Sequence, residues 1–221
     1  MNSCFFFLNF LLGRKKIMER VRYIIDIDGF QVTEPDSNRI IIGSKKKNKK
    51  FLWKELGVTD VIEKKTTLYT FQLSKNFSEL SKEDRKNATY LRNHKTGLYF
   101  RNYQNDLPWS RIFGILKELS RECTLTDQTI AFKGGSMEKQ LLEFIGFHMY
   151  LDLNEYNCPK FDELVLSPHL RRIVDTCELL PCEKYRCNRH HPLRDSVLTP
   201  HCPGLETAYF TAWLLAYYYD E

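Results

Sequence analysis

The sequence predicts an α/β fold. Short apolar runs of strand length alternate with longer stretches whose apolar residues recur at helical spacing. The 221 residues are 43% hydrophobic and 14% aromatic, which supports a packed core and excludes a globally disordered chain. No internal repeat is visible, and a single domain over 21–221 accommodates the pattern.

Residues 1–20 stand apart. Cys4 to Leu12 is apolar, and Gly13-Arg14-Lys15-Lys16 follows. A run of about nine residues falls short of the roughly 20 needed to span a bilayer. A secretory signal carries its positive charge before the apolar run and small residues after it, the reverse of this order. The stretch reads as a leader outside the fold, with Met18 as a second candidate start. A weak membrane or targeting segment is the rival, and no stable membrane span is expected.

Arg22 to Ile27 is the first strand, a buried run that ends in Asp26, Asp28 and Gly29. Phe51 to Val61 and Thr67 to Leu73 are the next two. Between the first two strands, 33–50 reads as a lysine-rich insert. Lys45, Lys46, Lys47, Lys49 and Lys50 make it either a solvated loop or a phosphate-contacting arm. Ser81 is a helix N-cap with Asp84 three residues on. Ile112, Phe113, Leu116 and Leu119 form a helical stripe over Trp109 to Ser120. Thr129 to Phe132 is a strand, Gly134-Gly135 a turn, Met137 to Phe147 a helix and His148 to Leu153 a strand. Short helices follow Lys160, and Thr207 to Tyr219 is an apolar terminal helix.

Seven cysteines, an odd number in a long, core-rich chain, argue against a disulfide framework. Four lie between Cys177 and Cys202, mixed with histidines. Thiolates and imidazoles together suit zinc, which implies a reducing, intracellular compartment. Cys187-x-x-His190 followed by Cys202 supplies three ligands, with His191 able to replace His190. The fourth is open between the nearby Cys182 and the remote Glu55.

Taken in order, several short phrases resemble the Maelstrom domain and a group of insect and insect-virus proteins of the same pattern. They include Asp26-Ile-Asp-Gly-Phe30, Lys54-Glu-Leu-Gly-Val58, Leu107-Pro-Trp109, Phe132-Lys-Gly134, Lys139-Gln-Leu-Leu142, Cys187-x-x-His190 and Cys202-Pro-Gly-Leu205. The match runs from about residue 22 to the C-terminus without the lysine-rich insert. The resemblance implies an RNase H-like, DEDD exonuclease-like mixed sheet flanked by helices. It also implies a structural zinc with Glu55 as fourth ligand beside Cys187, His190 and Cys202.

DEDD exonucleases hold two divalent metals with four carboxylates, the last preceded by a histidine. Against that pattern Asp26 and Asp28 fall at the first pair, Glu138 near the third position, and His201 with Glu206 at the last. Every carboxylate but Asp26 is substituted, and the exchanges move the metal-binding oxygen by about one bond. The resemblance therefore implies a zinc-stabilised domain that binds nucleic acid, single-stranded RNA foremost, with catalysis lost or degenerate. The alternatives are an active 3′–5′ exonuclease using magnesium or manganese, and a zinc-dependent module for protein partners. The mild net charge of +5 permits a polyanion without requiring one.

Overall fold

A run rich in β-branched and aromatic residues, with apolar side chains on both faces, forms the central strand β1 (Val21–Thr33). In the computed structural model, which describes residues 15–33, 49–179 and 202–219, β1 is flanked by β2 (Lys49–Asp60) and β4 (Thr129–Phe132). β3 (Lys65–Thr70) and β5 (Tyr150–Asp152) complete a five-stranded sheet in the order β3-β2-β1-β4-β5. β1, β2 and β3 form an antiparallel meander, while β4 and β5 run parallel to β1.

Between β3 and β4 come α1 (Lys82–His94) and α2 (Arg111–Thr126). Ser81 caps α1 as its sequence predicts, its hydroxyl accepting the Asp84 N–H at 3.1 Å. Asp84 is itself buried and accepts the Thr33 N–H, which ties α1 to the far end of β1. α2 runs six residues beyond the predicted Ser120 and stops at Asp127, whose φ of 54° ends the helix. α3 (Ser136–Phe144) stops short of the predicted Phe147 because Gly146 turns left-handed at φ 82°. After β5, α4 (Phe161–Val165) and α5 (Pro168–Thr176) lead to α6 (Pro203–Tyr218). α6 begins four residues before the predicted Thr207, with Pro203 in its first turn, where a missing N–H costs nothing.

Three apolar clusters hold these layers. Ile24, Val21 and Val61 pack under α4, α5 and α6 on one face of the sheet. Tyr23, Ile25, Ile27, Leu56 and Val58 pack under α2 and α3 on the other. A third, smaller cluster joins Phe30, Val32 and Leu52 to Leu80, Ala88, Leu98 and Phe100 around α1.

Two expected boundaries move. Lys49 and Lys50 belong to β2, paired with Thr33 and Val32, because the hairpin must continue as far as Val32 packs in the third cluster. Met18 is fully buried beneath α6, and the Tyr219 hydroxyl donates to the carbonyls of Glu19 and Val21. The packed structure thus reaches back into the segment read as a leader. No helix among the described residues is long and apolar enough to cross a membrane.

Candidate functional site

Side chains alternate across a strand, so Ile24, Asp26, Asp28, Phe30 and Val32 share one face of β1. Ile24 belongs to the α6 cluster, while Phe30 and Val32 belong to the α1 cluster. The two half-buried carboxylates occupy the gap between these clusters. A β-bulge marks the place. Asp28 pairs with Glu55 and Gly29 with Trp53, so Lys54 is passed over in the β1–β2 ladder. Gly29 is required there, since a Cβ would lie 2.1 Å from the Leu52 carbonyl oxygen.

Glu138 reaches the same region from the first turn of α3. β4 ends at Phe132, and beyond its end the Ile27 N–H donates to Glu138 Oε1 at 3.0 Å. The carboxylate folds back over the glycine turn before α3: a Cβ on Gly135 would fall 1.4 Å from Oε2. Gly134, at φ 67°, donates its N–H to Asp152 Oδ1 at 2.9 Å. Glu138 is 4% exposed, and Oε2 is buried without a hydrogen-bond partner.

Glu206 comes from the first turn of α6. Gly57 of β2 allows the approach of that helix, since a Cβ there would lie 2.3 Å from the Pro203 carbonyl. The negative end groups then act on one another. Burial first, then the charges of Glu206, Glu138, Asp28 and Cys202, push Asp26 well above the usual carboxylate range. Burial likewise pushes Glu138 up to about 7. Its own N–H and that of Ile27 oppose the shift, and Glu206 and Asp152 add to it.

Four carboxylates predicted to act together are thus brought within electrostatic reach by three separate elements. Oxygen donors of this kind suit a hard divalent cation, and Glu138 Oε2 is an acceptor that such an ion would satisfy. The side chains are not gathered into a ready shell, however. Among the described residues no three His, Cys, Asp or Glu side chains are placed to hold one ion.

The proposed zinc ligands are only partly in view. Glu55 is fully buried on β2, and Cys202 is 6% exposed at the head of α6. Gly57, two residues along from Glu55, touches Pro203, so the topology brings the Glu55 and Cys202 segments together. Cys182, Cys187, His190 and His201 lie outside the described residues, as do Lys45, Lys46 and Lys47. Lys49 and Lys50 are half-buried at the start of β2.

Two features had no counterpart in the sequence reading. Asp152 acts on Glu138 and caps the Gly134 turn, and an aspartate closing a strand before a turn was the available signal. Lys54, passed over at the bulge, makes a fully buried ion pair with Asp106 and donates to the Phe71 carbonyl at 2.9 Å. Nothing in the local sequence distinguishes that lysine from a solvated one.

No protein-family model and no curated protein sequence matches the chain. Solved structures do resemble it. The Mopeia virus exonuclease domain depleted of manganese superposes with a TM-score of 0.54 at 14% identity, covering 94% of this chain and 85% of that one. The same viral domain partially complexed with manganese gives 0.54 at 15% identity, covering 93% and 84%. The mixed five-stranded sheet flanked by helices is therefore similar to the fold of exonuclease domains.

Proposed function

We propose that the protein is a divalent-metal-dependent nuclease of the DEDD exonuclease type, acting on nucleic acid through Asp26, Asp28, Glu138 and Glu206. One observation carries this reading: Asp26 lies where the charges of the other three act on it from β1, α3 and α6. Burying like charges together costs stability, and such a cost persists where a function uses it. The manganese bound by the viral exonuclease domain of similar fold supports the same cation chemistry.

A bound divalent cation would activate the attacking water and neutralise the departing oxygen. The chain's own contribution is positional. Asp26 and Asp28 are fixed by the ladder on β1, and Glu138 is aimed by the Gly134-Gly135 turn. Glu206 is lowered onto the sheet by Gly57. In hydrolysis the water oxygen bonds to phosphorus, the bond to the 3′-oxygen breaks, and the water proton passes to a base. His201, five residues before Glu206, is proposed for that role.

A structural zinc on Glu55, Cys187, His190 and Cys202, as in the Maelstrom domain, is proposed to fix the segment before α6. The burial of Glu55 and the contact between Gly57 and Pro203 support it. A second reading, nucleic-acid binding with catalysis lost, is supported by the substituted carboxylates: of the four only Asp26 is unchanged, and the exchanges move the metal-binding oxygen by about one bond. The test compares wild type with Asp26→Asn on single-stranded RNA and DNA, in manganese and then magnesium. Metal-dependent cleavage that disappears in the variant supports the nuclease. Binding without cleavage in either protein supports the second reading.

A further inference from the structure

Residues 98–103 follow α1 and bend at Phe100 and Arg101, where the Arg101 N–H donates to the Tyr99 carbonyl at 2.9 Å. Leu98 and Phe100 go into the third apolar cluster, while Arg101 is exposed and has the half-buried Tyr99 and Tyr103 beside it. The segment is firmly held. Asn102 exchanges two hydrogen bonds with the Leu73 backbone, at 2.6 and 3.1 Å, and the Tyr103 N–H donates to buried Asp106 at 2.7 Å. Arg101 lies against the rings of both tyrosines. The Arg101 guanidinium lies 4.8 Å from the Tyr99 ring and 4.5 Å from the Tyr103 ring, and Arg92 of α1 lies 5.6 Å from Tyr99.

Between α1 and this segment is a cleft of about 110 Å³, lined by Phe77, Arg92, Tyr99 and Arg101 among others. Phe77 is 41% exposed and lies 6.1 Å from the Phe100 ring. The exposed ring and the two guanidiniums line the same cleft, which pairs a stacking face with two cations. The charge is equally local. Residues 82–104 carry six Lys or Arg against two acidic residues, a net of +4 within a chain whose total is +5. One of the two acids, Asp84, is buried and engaged by Thr33.

We infer that this cleft is a nucleotide-docking subsite for single-stranded nucleic acid, with Phe77 stacking on a base and Arg92 and Arg101 pairing with phosphate. Guanidiniums held against tyrosine rings are pre-oriented, so little side-chain freedom is lost on binding phosphate. A single strand is specified because a duplex conceals the base faces that an aromatic ring would cover. The subsite is also connected to the carboxylates. Phe100 packs 4.7 Å from Phe30, which stands two residues, about 7 Å, beyond Asp28 on β1. Lys49 and Lys50 open β2 at this same end. The inference rests on the proposed function only in taking nucleic acid as the ligand.

The test measures binding of labelled single-stranded RNA and DNA dodecamers to the full chain across a salt series, without added magnesium or manganese. Phe77→Ala is expected to weaken binding about tenfold at every salt concentration, leaving the salt slope unchanged. Arg92→Gln and Arg101→Gln are each expected to lower the slope by about one. Lys117→Gln, in a separate groove between α2 and the α3–β5 turn, serves as the control and is expected to leave base-dependent affinity unchanged. Crosslinking of a 4-thiouridine strand to the peptide holding Phe77 or to that holding residues 99–103 checks the site without any substitution. Wild-type affinity in Phe77→Ala with no crosslink in either peptide overturns the inference, even if the protein cleaves in manganese. Loss of binding in Phe77→Ala by a protein that never cleaves sustains the inference while the nuclease reading fails.

Discussion

At the scale of single residues, charges are kept out of water in two contrasting ways. Lys54 and Asp106 are both fully buried and neutralise each other. Burial alone pushes the Asp106 carboxyl up, but hydrogen bonds from Lys54, the Tyr103 N–H and Thr70, with the Lys54 charge, outweigh it and hold it below the usual range. A depressed carboxyl pKa stabilises the fold above the unfolded value near 3.8 and loses that contribution as pH falls through the folded value. Asp106→Asn is therefore expected to remove part of the acid-denaturation slope below about pH 4. It should also cost about 3–5 kcal/mol at neutral pH, because Lys54 is left buried and unpaired. Urea unfolding at pH 7 and pH 3 measures both, and a variant as stable as wild type at pH 7 would contradict the buried pair. Asp26, Asp28, Glu138 and Glu206 follow the opposite arrangement, carboxylates gathered so that the charges of the other three raise Asp26. Asp26 and Asp28 were legible in the sequence because carboxylates ending an apolar strand are conspicuous. Lys54 was not, because its burial depends on a bulge created by Gly29 and on a partner 52 residues away.

At the scale of elements, glycines decide how closely the pieces approach. Gly57 lies within the continuous buried stretch of β2, and the head of α6 occupies the space its side chain would fill. α6 is buried nearly all round over its first three turns, so it has no face on which to retreat. Gly57→Ala is expected to displace α6 and cost at least 1–3 kcal/mol, as overpacking does. It should also move Glu206 away from Asp26. A shift of the urea midpoint to lower concentration checks the first effect, and weaker manganese binding checks the second. Gly135→Ala acts more locally, because the atoms its Cβ would meet first are those of the Glu138 carboxylate. It is expected to weaken manganese binding with a smaller change in stability than Gly57→Ala, and equal losses in both would argue that Glu138 is merely structural. The order and type of most elements could be read from apolar periodicity. Their ends could not, since α2 continues to a left-handed Asp127 and α3 stops at a left-handed Gly146. Those ends depend on backbone conformations that composition does not encode.

At the scale of the whole molecule, one face of β1 carries an apolar cluster, a carboxylate gap and a second apolar cluster in succession. The α6 cluster and the α1 cluster stabilise the two ends, so the repulsion between them can be sustained. This arrangement predicts a crossing of stabilities. Asp26→Asn removes one member of the mutually repelling set, so without added divalent cation the variant is expected to melt above wild type. Manganese that binds the folded chain alone would stabilise wild type by mass action, about 2.7 kcal/mol at a hundredfold excess over Kd. The variant lacks the central carboxylate and should gain little from the same ion. Melting curves of both proteins over a manganese titration would therefore cross, with the variant more stable at the start and wild type more stable at the end. A pair of curves that stays parallel at every manganese concentration would mean that the four carboxylates do not share an ion.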